Sequence, residues 1–171
     1  MDLHETLKSR ATTVAAKLLA AGAGKPAPEE SFGLFRHKGD MIYLVGNIHP
    51  DGVDLDSDYR VQKSMLSAMR KDLLISMQEV AEDGVMGALL RSTLPSGFGF
   101  DVTTDSEIPE VDFLFSDLGT CAVVTVSMEK DEEFVHYMFD NEVDVMTLGH
   151  VTKGDLRIDD EPYGNIHDFA K

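Results

Sequence analysis

The stretch Gln78-Glu79-Val80-Ala81-Glu82-Asp83-Gly84-Val85-Met86-Gly87-Ala88-Leu89-Leu90 decides how this chain is read, together with Gly97-Phe98-Gly99-Phe100-Asp101 just beyond it. A polar, acidic turn ends at Gly84. An apolar helix follows, Pro95 to Gly97 breaks it, and a strand begins. The first amides of a helix have no intrahelical acceptor. They point outward, and the helix dipole favours negative charge there, so such a turn is a seat for an anion. Here three acids, Glu79, Glu82 and Asp83, crowd the seat.

Outward from that turn, the whole chain sets broad limits. Its 171 residues suit one domain of ordinary size, or one domain with an arm. Hydrophobic residues make up 43% and charged residues 27%, which is enough for a buried core. The net charge is −16, from 31 acids against 15 bases. That excludes a nucleic-acid binder, which needs clustered Lys and Arg to neutralise phosphates. It also excludes binding to an anionic membrane surface. No apolar run approaches the roughly 20 residues that span a bilayer. The N-terminus lacks a basic stretch followed by an apolar one, so no secretory signal is expected. One cysteine, Cys121, leaves no internal disulfide and fits a reducing, cytoplasmic setting.

Taken in order, Leu3 to Ala21 has a moderate apolar stripe of helical spacing, with Leu7, Ala11, Val14, Ala15, Leu18 and Leu19. Gly22 to Pro28 ends it, and its two glycines and two prolines within seven residues read as a flexible linker. Residues 1–24 are therefore expected to form a separable helical arm, nicked by proteases near Gly24. Phe32 to Phe35 is expected as a short strand, and Met41 to Gly46 as a buried one. Asp54, Asp56 and Asp58 invite a calcium-loop reading. The spacing fails, because the glycine and glutamate positions of such a loop hold Tyr59 and Met65. Tyr59 to Leu73 reads as a helix with Val61, Met65, Met69 and Leu73 on one side. Leu74 to Met77 is a short strand, Val85 to Thr93 a helix, and Phe98 to Thr103 a strand with one buried face. Asp105 to Asp112 is an acidic loop. Cys121 to Val126 is apolar on both faces, as a central strand is. Ser127 is expected to cap a helix that buries Phe134, Val135, Met138 and Phe139. Val143 to Val151 and Leu156 to Ile158 read as a hairpin around Lys153-Gly154-Asp155. The acidic tail, Asp159 to Lys171, is expected to wrap the surface. The mixed order gives an α+β domain, a mixed β-sheet covered by helices, with an N-terminal helical arm.

Several groups have bland readings. Cys121 opens an apolar strand with no basic neighbour, so it reads as an inert core thiol. His150 reads as a structural histidine. His37, His49, His136 and His167 make no metal-ligand spacing, so no metal site is expected. The acidic run Glu129 to Glu133 reads as a solvated helix face.

From Met77 to about Asp168 the chain resembles the C-terminal domain of the AIR-synthase type, as found in phosphoribosylformylglycinamidine synthases. The resemblance is greatest to the purine-biosynthetic synthases of the Bacteroidetes type. The matching stretches are Val80-Ala81 with Gly84, Leu94 to Asp101, Thr104 to Ile108, Phe113 to Phe115, Val123 to Val126, Leu148 to Gly154, and Asp159-Asp160-Glu161 with Gly164. Gly39 to Gly46 resembles the strand that precedes them in that domain. Residues 25–171 are then an AIR-synthase C-terminal-like domain, with 1–24 as arm and linker. The resemblance implies an ATP-dependent ligase of purine biosynthesis. ATP activates the formamide oxygen of formylglycinamide ribonucleotide, and ammonia derived from glutamine displaces phosphate. It implies ATP and magnesium for the full enzyme, held mainly by a separate N-terminal ATP domain. No cofactor is expected on this chain alone. It also implies two elements lining a nucleotide and phosphate cleft, which places the candidate binding residues at Glu82, Asp83 and Gly84 on the turn and at Ser116, Asp117, Gly119 and Thr120 on a second loop. Both elements depart from the family pattern. Asp83 stands where the family has glycine, and the second loop has no arginine to fork onto phosphate. Two functions are compatible with this. One is the domain of a ligase, inactive alone, that works with its ATP domain or a homo-oligomer on a ribonucleotide. The other is a non-catalytic homologue serving as a binding or assembly module.

Overall fold

Two short apolar runs, 41–46 and 121–126, become the centre of a sheet because branched and aromatic side chains suit a pleated surface covered on both sides. A computed structural model describes residues 3–20, 33–46, 55–80, 83–104, 110–115 and 121–169. In chain order the elements are α1 (Leu3–Ala20), β1 (Met41–Gly46), α2 (Leu55–Arg70), β2 (Ser76–Glu79), α3 (Gly84–Thr93), β3 (Gly99–Val102), α4 (Glu110–Phe115), β4 (Cys121–Val126), α5 (Asp131–Asp140), β5 (Val145–Thr152), β6 (Asp155–Ile158), β7 (Glu161–Asn165) and α6 (Ile166–Phe169). The seven strands form one sheet in the order β2-β4-β1-β5-β3-β6-β7. β3 and β6 run parallel, and the other neighbouring pairs are antiparallel. The fold is the mixed α+β sheet expected.

Alternation along the strands sorts the core into two layers. Ile42 and Leu44 of β1 and Cys121 and Val123 of β4 point to one side, where α1, α3, α4 and α6 pack. Tyr43 and Val45, with Ala122, Val124 and Val126, point to the other, where α2 and α5 pack. Helices α2 and α5 run antiparallel and are tied at both ends. Lys130, just before α5, donates to the carbonyl of Asp72, just after α2, at 2.7 Å. Arg60 of α2 lies 3.7 Å from the Glu142 carboxylate, just after α5. Asp72 and Glu142 both take left-handed backbone angles, φ 60° and 58°, at the ends of their helices.

The helix expected as a separable arm is docked. Leu7, Ala11 and Ala15 are 1%, 4% and 1% exposed and belong to the same core as Leu89 and Leu90 of α3. The stripe looks weak because two of its three buried members are alanines, whose small side chains let helix axes approach closely. The linker lies outside the described residues, as do the loop at 49–52 and Asp54.

Other expectations are corrected locally. Residues 33–35 form no strand; Gly33 sits in a tight turn and Phe35 is buried. The strand expected at Leu74 starts at Ser76. The acidic loop gives way to α4 at Glu110. α5 starts at Asp131, because Ser127 is used in a preceding turn that accepts the amide of Lys130. Of its four expected core residues, Phe134 and Met138 are buried, whereas Val135 and Phe139 are exposed. The tail does not wrap the surface: Tyr163, Ile166 and Phe169 enter the core.

The hairpin is the largest correction. β5 and β6 are separated in the sheet by β3, which pairs with both. The 153–154 connection steps over the start of β3, and a Cβ at Gly99 would collide with Asp155 and Gly154. A glycine there is what lets two strands close in sequence straddle a third.

The docked α1 has a direct test. Leu7→Ala is expected to lower the unfolding free energy by about 2–4 kcal/mol in a denaturant melt, the usual range for a buried leucine. An unchanged midpoint would restore the separable arm.

Candidate functional site

The two elements expected to line a cleft start from neighbouring strands. β2 and β4 are antiparallel partners, with Glu79 opposite Ala122, and the Val80 amide donates to the Cys121 carbonyl at 3.0 Å. The end of β2 and the start of β4 therefore share one end of the sheet. Gly84 closes the arrangement. Its φ is +74°, a conformation L side chains rarely adopt. A Cβ there would lie 2.5 Å from the Leu114 carbonyl oxygen and 2.8 Å from the Phe115 Cα. The first residue of α3 thus rests on the last turn of α4. Glu82, Ser116, Asp117, Gly119 and Thr120 lie outside the described residues. Their described flanks are brought together at this corner.

Asp83 does not cap α3 with its side chain. Its carboxylate lies over Gly87, where an added Cβ would strike it. Arg91 Nη1 donates to both carboxylate oxygens, at 3.0 and 2.7 Å, and Nη2 donates to the Glu79 carbonyl at 2.8 Å. One guanidinium therefore joins the end of β2, the turn and the second turn of α3. The acid at Asp83 is neutralised rather than free to repel. The cation at this turn comes from α3 and is engaged by Asp83 and Glu79. The sequence carried a signal for it: Gly84, Gly87 and Arg91 recur at i, i+3 and i+7, on one helix face, and helical side chains lean toward the N-terminus. A second cation, Arg10 of α1, stands 4.7 Å from the centre of the Phe115 ring, beside the start of the second loop.

The bland candidates lie as follows. Cys121 is buried at the head of β4. His150 is exposed on β5, opposite Met41 and Asp101, two strands away from β4. Among the described residues, no group of three or more His, Cys, Asp or Glu is placed to hold a metal ion. No described helix is long and apolar enough to cross a membrane.

Among the described residues, Asp40 is the titratable group whose environment perturbs it most clearly. It sits in the turn entering β1, where its carbonyl accepts the Val151 amide at 2.9 Å. Burial pushes its carboxyl above the usual range, and His37 Nδ1, 3.3 Å away, draws it back in part. The site is remote from the Asp83 corner.

No family model matches the chain. Similarity to known proteins is nonetheless clear in both sequence and shape. Thermotoga maritima PurL complexed with ATP superposes on 81% of this chain with a TM-score of 0.69 at 12% identity, and the chain covers 27% of that protein. The chain has the PurL fold. A thiamine-monophosphate kinase from Stenotrophomonas maltophilia shares it at a TM-score of 0.57 and 14% identity, over 75% of this chain and 52% of the kinase. In sequence, the chain is 27% identical over 110 residues, 64% of its length, to the phosphoribosylformylglycinamidine synthase subunit PurL of Caldanaerobacter subterraneus. It is 29% identical over 102 residues, 60% of its length, to PurL of Thermoanaerobacter pseudethanolicus. The chain spans about 15% of the first relative and 14% of the second.

Two measurements probe these groups. Arg91→Ala leaves a half-buried carboxylate without its partner and is expected to cost about 1–2 kcal/mol in a denaturant melt. For Asp40, a raised folded pKa means that ionisation disfavours the fold. Its burden is absent below the unfolded carboxylate pKa and grows as pH rises through the folded one. Asp40→Asn is therefore expected to gain stability over the parent at neutral pH and to lose that advantage in acid. A constant difference across pH would assign the effect to packing.

Proposed function

We propose that this chain is the C-terminal-type domain of a PurL-like ligase, acting in the ATP-dependent amidation of formylglycinamide ribonucleotide in purine biosynthesis. The observation that carries this reading is convergence. Sequence similarity over 110 residues and fold similarity over 81% of the chain lead to the same protein, PurL. In this reading the corner formed by Asp83, Gly84 and the second loop faces a ribonucleotide, and residues 25–171 with docked α1 make up the domain. ATP and magnesium belong to the full enzyme, and the partner is its ATP domain or a second copy of this chain. In this reading the setting is cytoplasmic and the domain is of the Bacteroidetes type. Relatives of this kind include PurL structures complexed with ADP and with FGAR, and a PurLQS structure.

One observation favours the second reading, a non-catalytic binding or assembly module. The guanidinium of Arg91 is committed to Asp83 and Glu79. A turn filled by its own ion pair has less to offer an incoming phosphate.

The chain alone is expected to release no phosphate from ATP above a buffer blank, with or without formylglycinamide ribonucleotide. Turnover would overturn the inactivity of the isolated chain. Calorimetric titration with that ribonucleotide separates the two readings: saturable binding supports the ligase domain, and none supports the module.

A further inference from the structure

We infer that the layer of α2 and α5 pairs face to face with the same layer of a second copy of this chain, α2 of each copy lying along α5 of the other. This goes beyond the ligase reading and does not depend on it. Residues 59–70 carry three bases and no acid, in a chain with 31 acids against 15 bases. Two of those bases, Lys63 and Arg70, alternate with Tyr59 and Leu66 at i, i+4, i+7 and i+11, which is one straight stripe of a helix. The stripe faces away from the sheet. Val61, Met65 and Ala68 are buried on the opposite side, whereas Tyr59 is 66% and Leu66 52% exposed. Lys63 and Arg70 are exposed as well. The ion pairs that tie α2 to α5 use Arg60 and Asp72 instead. Among the described residues, neither Lys63 nor Arg70 has an acidic partner.

The opposite charge stands on the next helix. Glu129, Glu132, Glu133 and Asp140 line a shallow open groove along α5. Stripe and groove both face outward from one layer, so a chain cannot lay its own stripe in its own groove. A two-fold axis parallel to the helices makes that contact twice, as an isologous interface does. The register then follows from the ties within one chain. Arg60 is level with Glu142, and Asp72 with Lys130. Because the helices run antiparallel, Lys63 is level with Asp140 and Arg70 with Glu132 and Glu133. A rotation moves nothing along its own axis, so these levels carry over between copies. Each base of the stripe arrives opposite an acid of the groove, with Leu66 enclosed between the two charged levels. Helices of 16 and 10 residues are about 24 and 15 Å long. Such a layer covers less than the roughly 800 Å² per partner of a standard interface, so the dimer is weak and reversible. The net charge of −16 on each copy opposes approach from afar, and salt screens that repulsion beyond a Debye length.

Sedimentation velocity of the full chain at physiological ionic strength, from micromolar to near-millimolar concentration, tests this. The parent is expected to shift from monomer to dimer across that range. Lys63→Glu with Arg70→Glu sets acid against acid and is expected to weaken the dimer at least about tenfold. Glu132→Lys with Asp140→Lys sets base against base and is expected to do the same. Mixing these two variants restores one native contact and one with the charges exchanged, so the mixture is expected to dimerise where each variant alone does not. Lys8→Glu with Lys17→Glu makes the same change in net charge on α1, across the sheet, and is expected to alter the dimer by less than about twofold. All the altered side chains are exposed, and unchanged melts confirm that the variants fold. A parent that stays monomeric throughout overturns the inference. So does a dimer indifferent to either charge reversal, or a mixture of the two reversed chains that stays monomeric.

Discussion

Between the α-carbon of Gly84 and the carbonyl of Leu114 there is no space for a methyl group. That contact fixes where α3 starts against α4, and both ends of the candidate cleft are built from it. A side chain at this position would have to push α4 away, and its backbone would have to leave the left-handed conformation it now holds. The second loop leaves from Phe115, so it would move as well. The Arg91 bridge acts on the opposite side of the same turn, holding Asp83 and the end of β2. The turn is clamped from both sides, by backbone contact and by charge.

This clamp bears on the chemistry the corner can perform. A phosphate-accepting turn offers bare amides and an unengaged cation. Here the cation is engaged within the chain, and the aspartate occupies space over Gly87. The PurL fold is therefore present with a turn that has its own internal counter-ion. Arg10, brought by α1 to the Phe115 ring, adds positive charge from a part of the chain that sequence reasoning had set apart.

The parts legible in the sequence were those whose cause is local. Met41–Gly46 and Cys121–Val126 announce buried strands by composition, and Gly84–Thr93 announces a helix by its run and its break. Gly84 and Asp83 were legible as a turn at a helix start. What was hidden depends on contacts far apart in the chain. Ala11 and Ala15 look neutral by hydrophobicity, and only the neighbouring α3 shows that they are core. Arg91 reads as an ordinary polar position in a helix until β2 is placed beside it. Phe139 and Val135 matched the apolar spacing of α5, yet the sheet reaches only Phe134 and Met138. The Ile158 strand has a hairpin-like turn before it, and nothing local says that β3 will take the space between.

That straddled arrangement has a kinetic consequence. β6 cannot zip onto β5 as a hairpin would, because its ladder partner is β3, with Phe100 opposite Leu156 and Val102 opposite Ile158. Loop closure over so long a separation is slow, and parallel pairing adds nothing local to speed it. During synthesis, the open edge of β3 has to wait until residues 155–158 have left the ribosome. In that interval Phe100 and Val102 lack their final neighbour, and the nascent chain presents an unpaired strand edge. The glycine that makes the native topology possible thus also leaves the edge of β3 open until β6 has been made.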